Sequence, residues 1–307
     1  MKKLDEFLYR RTNLPYLLQR LADGSCICIE MRYFCYSPAR AAALLALCLV
    51  AGIGGAAGVQ PLDVYVLAGQ SNMDGRASRH DLPKSLQPSQ TCVLLYHSDR
   101  WAPLGPGSSE RPAPPNGFGP ELSFGHELIF RAPHQRVALI KHARGGTSLA
   151  VNWTPSTGPE FRAMVAKTHR ALNELRTQGF SPRLRGFVWM QGERDASTAA
   201  DAQAYGTRLH EFVRQARLAL AEPELPVVIG RINAPDRIYR AAVRRAQSDI
   251  ALSVPFSACV DTDDLTLLDS VHYDAGSLVI LGRRFAAALA AVEAERAATN
   301  PRIKDRH

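Results

Sequence analysis

After residue 60, short runs rich in β-branched residues alternate with longer segments whose apolar residues recur at helical spacing. That alternation restricts the chain to an α/β domain with a largely parallel sheet, because parallel neighbours need a crossover and helices supply it. Strands are predicted over 63–68, 91–96, 136–142, 185–190, 226–231 and 257–261, and helices over 161–178, 199–221, 236–252 and 274–295. The last helix opens at Asp274, an N-cap residue type, and repeats apolar residues at Leu278, Leu281, Phe285 and Leu289 along one face. Residues 99–120 are rich in Pro and Gly and are predicted to form a long surface loop, of a length that in compact domains is often functional. The tail 299–307 is predicted to fray.

The segment in front of this domain has another character. Residues 41–57 read AAALLALCLVAGIGGAA, an uncharged apolar stretch that follows Arg32 and Arg40 and ends in small residues. This is the pattern of a secretory signal peptide, with cleavage expected near Ala57, Gly58 or Gln60, and it predicts a secreted or periplasmic protein. A start at Met31 would give a leader of ordinary proportions; the alternative is a long cytoplasmic lead-in. A retained signal anchor is the competing reading, and it is the one route by which the chain would touch a membrane. Leu47 stands before Cys48 where a lipoprotein signal wants a small residue, so no lipidation is predicted. The predicted division is a leader over 1–60, one enzyme domain over 61–298 and the tail.

The formal charge is +8, but the first 60 residues contribute a surplus of three, which leaves +5 on the rest. That charge is dispersed along helices, as at Arg240, Arg244 and Arg245, without interleaved aromatics, so no nucleic-acid partner is predicted. Four of the six cysteines precede residue 60, and Cys92 and Cys259 alone provide neither a disulfide framework nor a metal-ligand spacing. Whether those two pair or remain separate thiols is open at this level, as is the oligomeric state.

Four blocks carry chemistry. The first strand runs into Ala68-Gly69-Gln70-Ser71-Asn72-Met73-Asp74-Gly75, which puts Ser71 at the C-terminal edge of a parallel sheet, where ligands bind. The turn is not the nucleophile elbow of the α/β-hydrolases, which would need Gly where Met73 stands. Near the other end, Asp269-Ser270-Val271-His272-Tyr273-Asp274 offers an imidazole with a carboxylate three residues earlier to set its tautomer. Between them, the blocks at 141–149, with Gly145 and Gly146, and at 189–196, with Gln191 and Glu193, each follow a predicted strand and so reach the same edge. Their glycines allow backbone amides to approach a substrate, and a Gln amide can add a donor.

In this order the four blocks resemble the sialate O-acetylesterase and acetylxylan esterase group of the SGNH hydrolases, which includes carbohydrate esterase family six. The block from Ala68 to Met73 is a specific signature of that group, and the resemblance spans 63–291. It implies a three-layer α/β/α sandwich around a mainly parallel five-stranded sheet, flavodoxin-like in layout, with no cofactor and an acetylated carbohydrate as substrate. By this resemblance Ser71 is the nucleophile, His272 the general base and Asp269 its orienting carboxylate. The oxyanion hole is expected at the Ser71 amide, the Gly146 amide and the Gln191 side chain, with Gly145, Glu193 and Asn72 in support.

Two positions depart from the group's pattern: Arg194 stands where a small polar residue is expected, and Tyr273 follows the histidine in place of Phe. Glu193 has several readings, as a partner of Gln191, of the 145–147 turn, or of His272 in competition with Asp269. Asp74, Glu121 and Asp195 read first as turn and capping residues, and Trp153 as either a sugar platform or a packing residue. The rivals to hydrolysis of O-acetyl carbohydrate are acetyl transfer, hydrolysis of general short-chain, lipid or thioester substrates, and a non-catalytic carbohydrate-binding envelope protein on the same fold.

Overall fold

The computed structural model describes residues 18–20, 26–28, 59–109, 116–133 and 135–299. The chain divides into two compact units, 1–58 and 59–307. In the first, Leu18–Arg20 pairs antiparallel with Cys26–Cys28. The apolar stretch 41–57, the Met31 start and residues 300–307 of the tail lie outside the described residues.

The second unit is built on a sheet of seven strands: β1 (Gln60–Gly69), β2 (Gln90–His97), β3 (Arg100–Leu104), β4 (Val137–Ala143), β5 (Phe180–Met190), β6 (Val227–Gly230) and β7 (Ser257–Val260). Their order across the sheet is β3-β2-β4-β1-β5-β6-β7. All pairings are parallel except that of the edge strand β3 with β2. Five strands were implied by the resemblance; the sheet has the six predicted from the residues plus β3. That seventh strand lies inside the expected loop 99–120. Its Pro103 argues against a strand unless the strand is at an edge, as β3 is. Ser98 and Asp99, with φ of 51° and 55°, form the tight turn that joins it to β2.

Helices α1 (Ser71–Asp74), α2 (Glu121–Arg131), α3 (Pro159–Thr177), α4 (Ala199–Ala219), α5 (Arg240–Ser253) and α6 (Ala275–Thr299) flank the sheet, α2 packed against α6 and α4 against α5. Helix α2 was not predicted: it is short and carries a glycine, Gly125, in its interior. Helix α5 starts four residues later than expected, because 231–239 runs as an irregular segment along the C-terminal edge of the sheet and Asp236 takes a hydrogen bond from Ser270 at 2.8 Å.

β1 is central and buried on both faces, with Val64, Val66, Leu67 and Ala68 wholly inaccessible, the burial expected of a parallel sheet covered by helices. Gly69 at its end pairs in register with Ala143 on one side and Met190 on the other. The ends of β1, β4 and β5 therefore lie level, and the turns that follow them share one edge of the sheet. The chain leaves β1 toward β2 and later returns on its opposite side at β5, so this edge is also where the strand order reverses. Cys92 on β2 and Cys259 on β7 are both free, with four strands between them, roughly 24 Å by strand spacing; they are separate thiols.

Candidate active site

The first turn owes its shape to Gly69. Its φ is +153°, and a Cβ there would lie 2.0 Å from the Met190 carbonyl oxygen, so only glycine lets β1 and β5 close together at this edge. The Gln70 amide donates to the same carbonyl at 2.9 Å. One turn of helix follows, with Ser71 as its first residue and nearly buried.

The loop before α6 meets this turn. Ser71 Oγ lies 3.0 Å from His272 Nε2, and His272 Nδ1 lies 2.8 Å from Asp269 Oδ2. The other oxygen, Asp269 Oδ1, accepts from the Val271 and His272 amides, each at 2.7 Å. Partial burial works to raise the Asp269 pKa, but hydrogen bonds from the His272 side chain and the two amides outweigh it and hold the carboxyl below its usual range. An ionised Asp269 selects the tautomer with hydrogen on Nδ1, which leaves Nε2 to accept the Ser71 proton.

The hydrogen bond of Glu193 goes to Asn72 and not to His272. Its Oε1 accepts from Asn72 Nδ2 at 2.6 Å. The same Asn72 nitrogen donates to the Val271 carbonyl at 2.9 Å, and Asn72 Oδ1 accepts from the Tyr273 amide at 3.1 Å. Asn72 thus grips the chain on both sides of His272, and Glu193 holds Asn72. Burial pushes the Glu193 carboxyl up, against the pull of its Asn72 hydrogen bond.

The Gly145-Gly146 turn packs beside the serine. The Arg144 amide donates to the Gly69 carbonyl at 3.0 Å, and a Cβ on Gly145 would stand 3.6 Å from Ser71 Cβ. Gly146 is exposed, with φ +74° and open space around it. Behind the turn Asp195 accepts from the Leu149 and Ala150 amides at 2.9 and 3.0 Å, which is the capping reading of that residue.

Gln191 departs from expectation. Its Nε2 donates to Asp195 Oδ2 at 2.6 Å, the Thr147 carbonyl at 3.1 Å and Gln70 Oε1 at 3.2 Å, and the residue is wholly buried. Turned toward the cavity, it would take one of the donors from the buried Asp195 carboxylate, which would keep the Leu149 and Ala150 amides. In this arrangement the Gln191 amide is held by the protein's own acceptors behind the serine turn.

Ser71, His272, Gly145, Gly146 and Glu193 line a cavity of about 540 Å³, together with Arg76, Arg144, Arg194 and Arg237. Of these guanidinium groups only Arg194 stood out in the sequence. Arg237 was hidden in the expected start of α5, and Arg76 follows the signature block in an unremarkable Gly-Arg pair. Trp153 takes no part: it is wholly buried, 4.9 Å between ring centres from Trp189, and its indole nitrogen donates to Thr147 Oγ1 at 2.8 Å.

The profile of the family described as carbohydrate esterase, sialic acid-specific acetylesterase matches residues 61–291. Over 252 residues the chain is 27% identical to a probable carbohydrate esterase of Arabidopsis thaliana, covering 75% of this chain and 91% of that one. An X-ray structure of an Arabidopsis thaliana protein is similar with a TM-score of 0.64 at 25% identity, covering 75% of this chain and 98% of that chain. NanS shares the fold with a TM-score of 0.61 at 16% identity, covering 77% of this chain and 99% of its own. The chain is a carboxylic ester hydrolase and belongs to the sialic acid-specific acetylesterase family of carbohydrate esterases.

Proposed function

We propose that this O-acetyl esterase works by a serine mechanism with an acetyl-enzyme intermediate. The observation that carries the reading is the continuous line from Asp269 through His272 to Ser71, at 2.8 and 3.0 Å, ending at the cavity wall. His272 Nε2 takes the Ser71 proton as Oγ bonds to the acetyl carbonyl carbon. The Ser71 amide and the 145–146 turn stabilise the oxyanion. His272 then protonates the departing sugar oxygen as its bond to the acyl carbon breaks. Water, deprotonated by the same nitrogen, attacks the acetyl-enzyme, acetate leaves, and Ser71 regains its proton.

Hydrolysis of 4-nitrophenyl acetate, butyrate and octanoate, with Ser71→Ala beside the wild type, tests this. Acetate turnover that falls with chain length and vanishes in the variant is expected. Turnover that survives in Ser71→Ala overturns the mechanism, and equal rates on octanoate overturn the acetyl preference.

Within the family's substrates we infer an anionic sugar of the sialate type in preference to acetylated xylan. Four arginines line the cavity against Asp74 and Glu193; Asp74 is held by Arg76 at 3.0 Å, and burial disfavours charge on Glu193. Guanidinium groups suit carboxylate recognition. Arg194→Ala is expected to raise KM for an O-acetylated sialic acid and leave 4-nitrophenyl acetate untouched. Equal effects on both, or better turnover of acetylated xylan by the wild type, overturn it. Secretion or periplasmic location rests on the leader sequence alone. A processed chain in periplasm or medium supports it, and an intact chain confined to the cytoplasm overturns it.

A further inference from the structure

A second polar cluster lies behind the serine turn, and the mechanism above does not use it. Lys141 on β4, in register with Leu67 of β1, is buried to 2% exposure. Its Nζ donates to the Asp74 carbonyl at 2.7 Å and Ser108 Oγ at 3.2 Å, and pairs with Glu121 Oε2 at 2.9 Å. Glu121, wholly buried, accepts on Oε1 from the Gly119 amide at 2.9 Å and from the Ser108 hydroxyl. Ser109 Oγ donates to the same Asp74 carbonyl at 2.7 Å. Two donors therefore converge on the carbonyl that ends α1.

A four-residue helix cannot hold its own geometry, because one turn fixes too many dihedral angles for the hydrogen bonds it gains. The start of α1 is set by the sheet, through Gln70 and the Met190 carbonyl. Its end leaves the Asp74 carbonyl in need of a donor, which side chains supply. Just beyond it Gly75, with φ +90°, presses on the segment that Glu121 fixes: a Cβ there would meet the Phe118 carbonyl oxygen at 1.9 Å. A buried Lys–Glu pair is a poor source of net stability, since desolvation offsets its attraction, so geometry is the better account of it.

We propose that Lys141 is a positioning residue for Ser71, clamping the far end of the serine turn and tying it, through Ser108 and Glu121, to residues 105–109 and 116–121. The proposal rests on the serine reading above. The same clamp sets Arg76, two residues after the clamped carbonyl, in the cavity wall.

The test pairs Lys141→Met with Glu121→Gln, since Lys141→Met alone would strand a buried carboxylate. The paired variant keeps an acceptor for the Gly119 amide. Its melting temperature is expected within about 5 °C of wild type. Its kcat on 4-nitrophenyl acetate should fall on the order of tenfold to a hundredfold, with KM changed less than about twofold. Labelling of Ser71 by an organophosphate should slow in parallel. Ser109→Ala, which removes the other donor to the same carbonyl, should lower kcat by a smaller factor and decides the matter if the paired variant does not fold. A folded paired variant with wild-type kcat and labelling overturns the proposal, as does an unchanged Ser109→Ala where only that variant folds. A wild type that neither labels nor turns over would instead sink the serine reading.

Discussion

Asn72 Nδ2 lies 2.6 Å from Glu193 Oε1 and 2.9 Å from the Val271 carbonyl, so one amide group joins the residue after the serine to the residue before the histidine. The separation in sequence between Asn72 and Val271 is nearly the whole domain, and the Ser71–His272 distance is fixed by this local contact. Asn72→Ala removes both grips on the histidine loop. Its kcat on 4-nitrophenyl acetate is expected to fall on the order of a hundredfold, with KM little changed, because misplacement of the base affects the transition state more than binding. Wild-type kcat in a folded Asn72→Ala would show that the loop holds His272 unaided.

Glu193→Gln should alter the pH dependence of stability. Burial raises the Glu193 pKa in the folded chain, so folding favours its protonated form. The contribution is fully present below the ordinary carboxyl pKa of about 4.3 and is lost as pH rises through the raised folded value. Glutamine can keep the acceptor for Asn72 and has no ionisation to oppose. The variant's melting temperature should therefore gain on that of wild type as pH rises across that window and then level off. A difference that stays constant from about pH 4 to pH 8 would mean that Glu193 folds ionised at no penalty.

The parts legible in the sequence were those fixed by short-range pattern. Each predicted strand has a counterpart, most clearly β1, whose β-branched run at the centre of a parallel sheet is buried on both faces and ends at Gly69. Ser71 follows β1 at the edge where the ends of β1, β4 and β5 lie level, and the loop before α6 brings His272 and Asp269 to it. What escaped was decided by tertiary context. Edge position rescued Pro103 in β3, and packing against α6 made a helix of α2. Gln191 was read as a donor to substrate because its residue type and loop fitted. The acceptors that hold its amide, Asp195, Thr147 and Gln70, include two that become neighbours only after folding.

Two glycines at the site separate steric need from backbone need. Gly69→Ala would force a Cβ to within 2.0 Å of the Met190 carbonyl oxygen, where the nearest atoms are all Met190 backbone and no side chain can yield. It is expected to destabilise by about 3 kcal/mol or more, read from urea or thermal unfolding. Gly146→Ala meets nothing within 4 Å, and only its φ of +74° is penalised, at roughly 1–2 kcal/mol. A Gly146→Ala protein that is folded yet much slower on acetate esters would then report on the oxyanion-binding amides of its turn, whereas a parallel small loss of stability with full activity would exclude that turn from the chemistry.

Asp269→Asn decides which carboxylate serves His272. The Asp269 carboxyl is held below its usual range by its hydrogen bonds to His272 and the loop amides, despite opposition from burial, so it is the charged form that orients the ring. An Asn there can still accept from the Val271 and His272 amides through one oxygen, which preserves the loop. Its NH₂ group facing Nδ1 would select the opposite tautomer and put a proton on Nε2, where Ser71 needs an acceptor. The expected loss in kcat is on the order of 10³ to 10⁴, the size seen when a triad carboxylate is neutralised without a change in geometry. In the wild type the lowered Asp269 pKa keeps the orienting carboxylate ionised as pH falls through the ordinary carboxyl range. If Asp269→Asn retains most of the wild-type rate and Glu193→Gln abolishes it, Glu193 must reach the histidine during turnover and the Asn72 contact at 2.6 Å belongs to a resting arrangement.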